Sequence, residues 1–337
     1  MATKRSLSGI KPTGTPHLGN LYGMILPAIG LQETHKAFYF IADYHALTTA
    51  RDPNEVRRNS LEIAATFLAF GLRAGRAGNG DGDAPLLFRQ SAVPEVHELS
   101  WMLSCVTGTG TMNRCHAVKA AEAKGETLNL GTYTYPALMA ADILLYGSDV
   151  VPVGRDQHQH VQVAQEMATH FNAAYGPTLK IPEVRISPAA TVMGSDGEKM
   201  AKSRGNYLPI FAGDREIAKY VKAMKTDSTP LEAPKNPMEC PVANLFRVVA
   251  PAADSAEMDK RYLEGGYGYG HAKSRLIEAL SSFLKEPRET YLRLMSDPST
   301  LELCLRRDAL VARTEAEKTL QRVRQSVGIP CNPYGEP

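Results

Sequence analysis

Two stretches of the chain carry residue types suited to holding an anion. The first is Lys11-Pro12-Thr13-Gly14-Thr15-Pro16-His17-Leu18-Gly19-Asn20, which joins a strand-like segment to a helical one. A turn of this kind offers unpaired N–H groups, the positive end of a helix dipole and a glycine that permits close backbone approach. His17 and Asn20 add side-chain donors; taken alone, the stretch also reads as a plain loop punctuated by Pro and Gly. The second is Gly194-Ser195-Asp196-Gly197-Glu198-Lys199-Met200-Ala201-Lys202-Ser203. Two lysines three apart on a glycine-rich loop can set two ammonium groups around one polyphosphate, and a flexible loop can close once a nucleotide has entered. The plainer alternative is a solvated charged loop.

Other familiar signatures are missing. The sequence has no GxxxxGK[ST] phosphate loop and no HExxH zinc helix. Gly108-Thr109-Gly110 lacks a third glycine and follows a predicted helix rather than a strand, which argues against a dinucleotide fingerprint. His158 and His160 flank Gln159 in a predicted helix, where side chains two apart diverge; they read as solvated or core histidines, not metal ligands. Five cysteines with no CxxC pair fit neither a disulfide framework nor a zinc ribbon, and point to a reducing cytosol.

The elements that must position these loops alternate in the first half. Strands are predicted at 5–10, 37–47, 86–90 and 149–154. Helices are predicted at 18–32, from Asp52-Pro53 to about Phe70, and from near Asp156, with an exposed loop at 76–83. Strands separated by helices of this length make right-handed βαβ units and a parallel sheet. From about Ile210 only helices follow. One is capped by Asp214 and carries Ile217, Tyr220, Val221 and Met224; others lie at 242–249, 272–284, 287–295 and 301–327. The expected fold is α/β, with a Rossmann-like parallel-sheet nucleotide-binding domain over 1–208, a helical insertion at about 92–140, and an all-helical domain over 209–337. The 337 residues suffice for two such domains, and 38 basic against 36 acidic side chains exclude a polybasic nucleic-acid arm as the main function. No run is long and apolar enough for a membrane span, and the N-terminus lacks the features of a secretory signal.

Together, His17-Leu18-Gly19-Asn20 and Lys199-Met200-Ala201-Lys202-Ser203 resemble the HIGH and KMSKS signatures of class I aminoacyl-tRNA synthetases, in the same order and at a similar separation. Three further stretches resemble the tryptophanyl-tRNA synthetase family. They are Phe40-Ile41-Ala42-Asp43-Tyr44-His45-Ala46, the run 133–146 with Met139-Ala140-Ala141-Asp142 within it and 135–146 its most specific part, and Val151-Pro152-Val153-Gly154-Arg155-Asp156-Gln157. The resemblance implies tryptophan–tRNA ligation: tryptophan is activated by ATP with Mg²⁺, then passed to the 3′ end of tRNA(Trp) by a homodimer, expected to be cytoplasmic. Some relatives bind an iron–sulfur cluster through clustered C-terminal cysteines, but Cys240, Cys304 and Cys331 are scattered here, so no such cluster is expected, and neither zinc nor a membrane. The resemblance also implies that Lys199, Lys202 and His17 act in catalysis. ATP would be held by Lys11, Pro12, Thr13, His17, Gly19, Asn20, Gly154, Arg155, Asp156, Val192 and the run from Lys199 to Ser203. Asp142, Met139, Tyr135, His45 and Gln157 would hold tryptophan. Residue types agree with that assignment, because indole has one polar handle, an N–H donor, and needs one buried acceptor among apolar walls. The helical C-terminal part, with Arg306, Arg307, Arg313, Lys318, Arg322 and Arg324, would meet the anticodon arm, unless those charges are a solvated helix face.

The match has departures. Lys11 stands where glutamine is common, Tyr44 likewise, Arg155 stands where glutamate is common, and Ala201 replaces the middle serine of KMSKS. Two other readings stay open: a tyrosyl-tRNA synthetase, and a regulatory paralogue that does not aminoacylate.

Overall fold

The computed structural model describes residues 3–75, 83–116, 118–119, 123, 128–154, 158–186 and 192–331. Five parallel strands form its sheet: β1 (Arg5–Ile10), β2 (Lys36–Ile41), β3 (Leu86–Arg89), β4 (Val150–Val153) and β5 (Glu183–Ile186), in the order β3-β2-β1-β4-β5. A sheet covered on both faces needs strands that are apolar on both sides. In β2, Phe38 and Phe40 pack with Leu7 and Phe88 on one face, while Tyr39 and Ile41 pack with Leu18 and Ile63 on the other. The first face carries the helices Glu95–Cys105, Leu130–Leu145 and His158–Tyr175. The second carries Pro53–Ala69 and the helical segments from Asp214 onward.

The α/β architecture read from the sequence is the one observed, with local differences that have physical causes. β2 stops at Ile41, and the last residues of the predicted strand form a short helix, Asp43–Ala46. The Asp43 carboxylate accepts from the backbone N–H groups of Tyr44 and Ser91, which fixes the chain in a turn there. The helix predicted at 18–32 is interrupted by a π-helical turn, Leu21–Ile25, before it resumes as Leu26–Gly30. Pro27 follows that turn and has no N–H to donate, so the ladder changes register around it. Asp214 does not cap its helix; Gly213 occupies that position, and Asp214 pairs with Arg288 instead.

Beyond Pro241, the segments predicted at 272–284 and 287–295 form one helix, Tyr269–Ser296, with Pro287 inside it. Ring contacts anchor both halves: Phe283 lies against Tyr22 and Phe70, and Tyr291 stacks on Phe211 with centroids 3.8 Å apart. Strand β5 and the helix Ala252–Glu264 have no counterpart among the predicted elements. The loop predicted at 76–83 lies outside the described residues except for Asp83, as does the start of the helix expected near Asp156.

The final helix, Pro298–Val327, returns to the sheet. Its Leu301 and Leu305 join the core on one face, and Ala312, Ala316, Leu320 and Val323 join the core on the other. Its Asp308 is fully buried and accepts, through Oδ2, the backbone N–H groups of Leu87 in β3 and of Gly75, both at 2.9 Å. Several basic residues of this helix are committed within the molecule. Arg313 pairs with Glu95 and Arg324 with Glu98, Lys318 with Glu315, and Arg307 donates to the Gly75 carbonyl.

Candidate active site

In an open parallel sheet, a crevice forms outside the carboxyl ends of the strands where the strand order reverses. Here that point lies between β1 and β4, since β1 leads outward to β2 and β3 while β4 leads the other way to β5. The loops leaving both strands line one cleft of about 1020 Å³, and the loop around Lys199 lines it as well.

At one end of the cleft two loops grip each other. Leu18 N–H donates to the Leu208 carbonyl, and Ile210 N–H to that of Pro16. Lys202 Nζ donates to the Thr13 carbonyl at 2.8 Å, and Gly19 N–H lies 3.3 Å from Met200 Sδ. A side chain at Gly19 would collide with the His17 ring, since a Cβ there would lie 2.9 Å from the imidazole. His17 is buried, and its pKa is pushed down to about 4, first by burial and then by the Lys202 ammonium nearby. It is therefore neutral at physiological pH, and its Nδ1 is buried without a hydrogen-bond partner among the described residues. Burial also lowers the pKa of Lys202.

Asn206 ties the lysine loop into shape. Its Oδ1 accepts from Ala201 N–H at 2.8 Å, and its Nδ2 donates to Asp196 at 2.7 Å and to the Lys199 carbonyl at 3.2 Å. Gly194 must be glycine for this packing, because a Cβ there would sit 2.4 Å from the Asn206 amide.

The other end is apolar with one buried carboxylate. The Leu130–Leu145 helix is capped by Asn129, which accepts from Thr132 N–H, and it turns Tyr135, Met139 and Ile143 to the cleft. Asp142 is 2% exposed and stands directly behind that wall. Its Oδ2 takes a bond from Gln90 Nε2 at 2.8 Å and meets His45 Nε2 at 3.1 Å. Burial raises the Asp142 pKa, and the His45 and Gln90 contacts offset part of that rise. Tyr135 faces the same space, with its hydroxyl 2.9 Å from His160 Nε2.

Of the residues singled out from sequence, Lys11, Thr13, His17, Gly19, Asn20, His45, Tyr135, Met139, Gly154, Val192 and the run from Lys199 to Ser203 all line this one cleft. Pro12 lies behind it, its carbonyl accepting from Asn59, and Asp142 is one hydrogen bond behind His45. Arg155, Asp156 and Gln157 fall outside the described residues. Sequence reasoning missed Asn206, Gln90 and His160. His160 was assigned to the core or solvent, yet it lines the cleft beside Val161. Gln90 left a faint signal, a polar residue ending an apolar strand. Asn206 left only the turn-forming Gly205 before it, which adopts a left-handed conformation at φ +65°.

A model of the tRNA synthetases class I (W and Y) family matches residues 2–285. With the cleft at the sheet's switch point and the two interlocked loops above it, the chain belongs to the class I tRNA synthetases of this tryptophan and tyrosine group. It is 42% identical to a tryptophan–tRNA ligase of Rhodopirellula baltica over 96% of its own length and 99% of the relative's. Among solved structures, a tryptophanyl-tRNA synthetase from Campylobacter jejuni complexed with ADP and tryptophan matches with a TM-score of 0.87. That pair is 38% identical, covering 96% of this chain and 100% of the other. The tryptophanyl-tRNA synthetase of Mycoplasma pneumoniae matches with a TM-score of 0.79 at 26% identity, covering 99% and 100% respectively.

Proposed function

We propose that the chain is a tryptophan–tRNA ligase. The observation that carries this reading is the polarity of the cleft. A buried carboxylate, Asp142, backs its apolar end, and the Lys199–Lys202 loop lines its other end. Support comes from relatives that match over nearly the whole chain and are named tryptophan–tRNA ligases. Those names, and the 135–146 run, disfavour a tyrosyl enzyme. A lysine pair seated in the cleft disfavours a binding-only paralogue.

In the first step the tryptophan carboxylate attacks the α-phosphorus of ATP. A P–O bond forms, the bond to the β-phosphate oxygen breaks, and pyrophosphate leaves with tryptophanyl-adenylate remaining. The nucleophile is ionised at pH 7, so the protein need only position the reactants and stabilise charge. The indole N–H would reach the Asp142 region while Tyr135, His45 and Gln157 hold the amino and carboxylate groups. Lys199, Lys202, His17 and Asn20 would hold the phosphates, and Gly154, Arg155, Asp156 and Val192 the adenosine. No group of three His, Cys, Asp or Glu side chains gathers as a metal cage among the described residues. Magnesium would arrive on the nucleotide's own phosphate oxygens, where it supplies charge neutralisation.

In the second step a ribose hydroxyl of the tRNA(Trp) 3′ end attacks the acyl carbon and AMP leaves. We assign the helical part from 209 onward to the anticodon arm, with 1–208 as the catalytic domain. A cytoplasmic homodimer belongs to the same reading. No helix among the described residues is long and apolar enough to cross a membrane, and Trp101 and Leu130 stand exposed on neighbouring helices. The deciding experiment is pyrophosphate exchange into ATP with each amino acid in turn. Tryptophan alone should drive it; exchange driven by tyrosine, or by no amino acid, would refute the reading.

A further inference from the structure

Lys11 is held in a way that neither the lysine loop nor the resemblance explains. It is the first residue after β1 and lines the cleft. Its Nζ donates to Thr48 Oγ1 at 2.9 Å and to Thr49 Oγ1 at 3.0 Å. Thr48 is itself fixed, its hydroxyl donating to the His45 carbonyl at 2.8 Å, and His45 meets Asp142. On the other side, Thr13 lies two residues along from Lys11, and its carbonyl accepts from Lys202. Lys11 therefore stands between the apolar end of the cleft and its phosphate end. An ammonium has three N–H donors, and the two threonines orient two of them.

We propose that Thr48 and Thr49 are positioning residues that hold the Lys11 ammonium where the amino-acid carboxylate and the α-phosphate meet. This inference rests on the function proposed above and adds a third, pre-oriented cation to the Lys199–Lys202 pair. Charge builds on the α-phosphoryl oxygens as the carboxylate attacks. A cation already fixed beside them stabilises that charge without reorganising at the moment of reaction. Lys199 and Lys202 sit on a loop, whereas Lys11 directly follows strand β1.

The test uses tryptophan-dependent pyrophosphate exchange with Lys11→Met, with a Thr48→Val/Thr49→Val pair, and with a Thr48→Ser/Thr49→Ser pair that keeps both hydroxyls. Lys11→Met should lower kcat roughly tenfold or more, the size of one lost charge-assisted bond, and flatten the salt dependence of kcat/KM for ATP. The valine pair should lose several-fold in kcat at unchanged Tm, and the serine pair should recover most of it. Lys11→Met within about twofold of wild type in kcat and both KM values would overturn the proposal. So would a serine pair as impaired as the valine pair. Absence of exchange in the unaltered chain would instead remove the functional reading, and the proposal with it.

Discussion

Asp142 gives the cleft a means of telling amino acids apart. A buried carboxylate accepts an indole N–H well but is left unmatched beside a phenylalanine ring, and sites of this type reject such analogues by roughly 10⁴-fold or more. Asp142→Ala should lower kcat/KM for tryptophan roughly 100-fold while the KM for ATP shifts less than about threefold. Comparable losses for both substrates, measured by pyrophosphate exchange, would show that Asp142 supports the fold instead. His17 makes a pH prediction. Its pKa of about 4 lies below the ordinary value of 6.5, so the folded chain binds fewer protons than the unfolded one between those values. Stability is then complete above pH 6.5 and falls as pH drops toward 4, by up to about 3 kcal/mol. His17→Asn should shrink the Tm difference between pH 7 and pH 4.5; an unchanged difference would exclude His17 as its source.

The joint between the last helix and strand β3 makes the opposite pH prediction. Burial pushes Asp308 up to about 6 from an ordinary value of 3.8. Here the folded chain binds more protons than the unfolded one, so this contribution grows as pH falls from about 6 toward 4. Both backbone N–H groups bond to Oδ2, and Oδ1 is buried without a partner among the described residues. Asp308→Ala leaves the buried Leu87 N–H and the half-buried Gly75 N–H unsatisfied and should cost about 2–4 kcal/mol in urea unfolding at pH 7. A cost under about 0.5 kcal/mol would mean the joint contributes little. His17 and Asp308 act with opposite sign over the same pH window, so only the single variants separate them.

The same scale explains what the sequence allowed a reader to see. β1, β3 and β4 were legible because apolar runs bounded by turn residues are local signals, and the Pro53–Ala69 helix because Asp52 and Pro53 mark its start. The two gripping loops were legible as short motifs. The Tyr269–Ser296 helix was not, since Pro287 is a local stop signal that distant partners, Phe211 and Tyr22 among them, override. β5, with the sequence Glu-Val-Arg-Ile, alternates too briefly to stand out. Asn206 and Gln90 escaped for a related reason. Their importance lies in what they bond to across space, and nothing in their immediate neighbours records it.

At the scale of the whole molecule, the two halves share their cores. The last helix supplies apolar side chains to both faces of the sheet, and its ion pairs fasten it to the Glu95–Cys105 helix. A chain cut before Pro298 should therefore be insoluble or lack a cooperative thermal transition. A soluble fragment that melts cooperatively and retains tryptophan-dependent exchange would show the sheet to be self-sufficient.

The bond from Leu87 to Asp308 spans 221 positions of sequence. A ribosome adding about 5–20 residues per second needs roughly 10–45 s to travel that far. Throughout that interval the border of the nascent sheet has open amide groups able to pair with any other extended segment. Production of this protein should thus depend on what shields that border during translation, and slower elongation should lengthen the exposure in proportion.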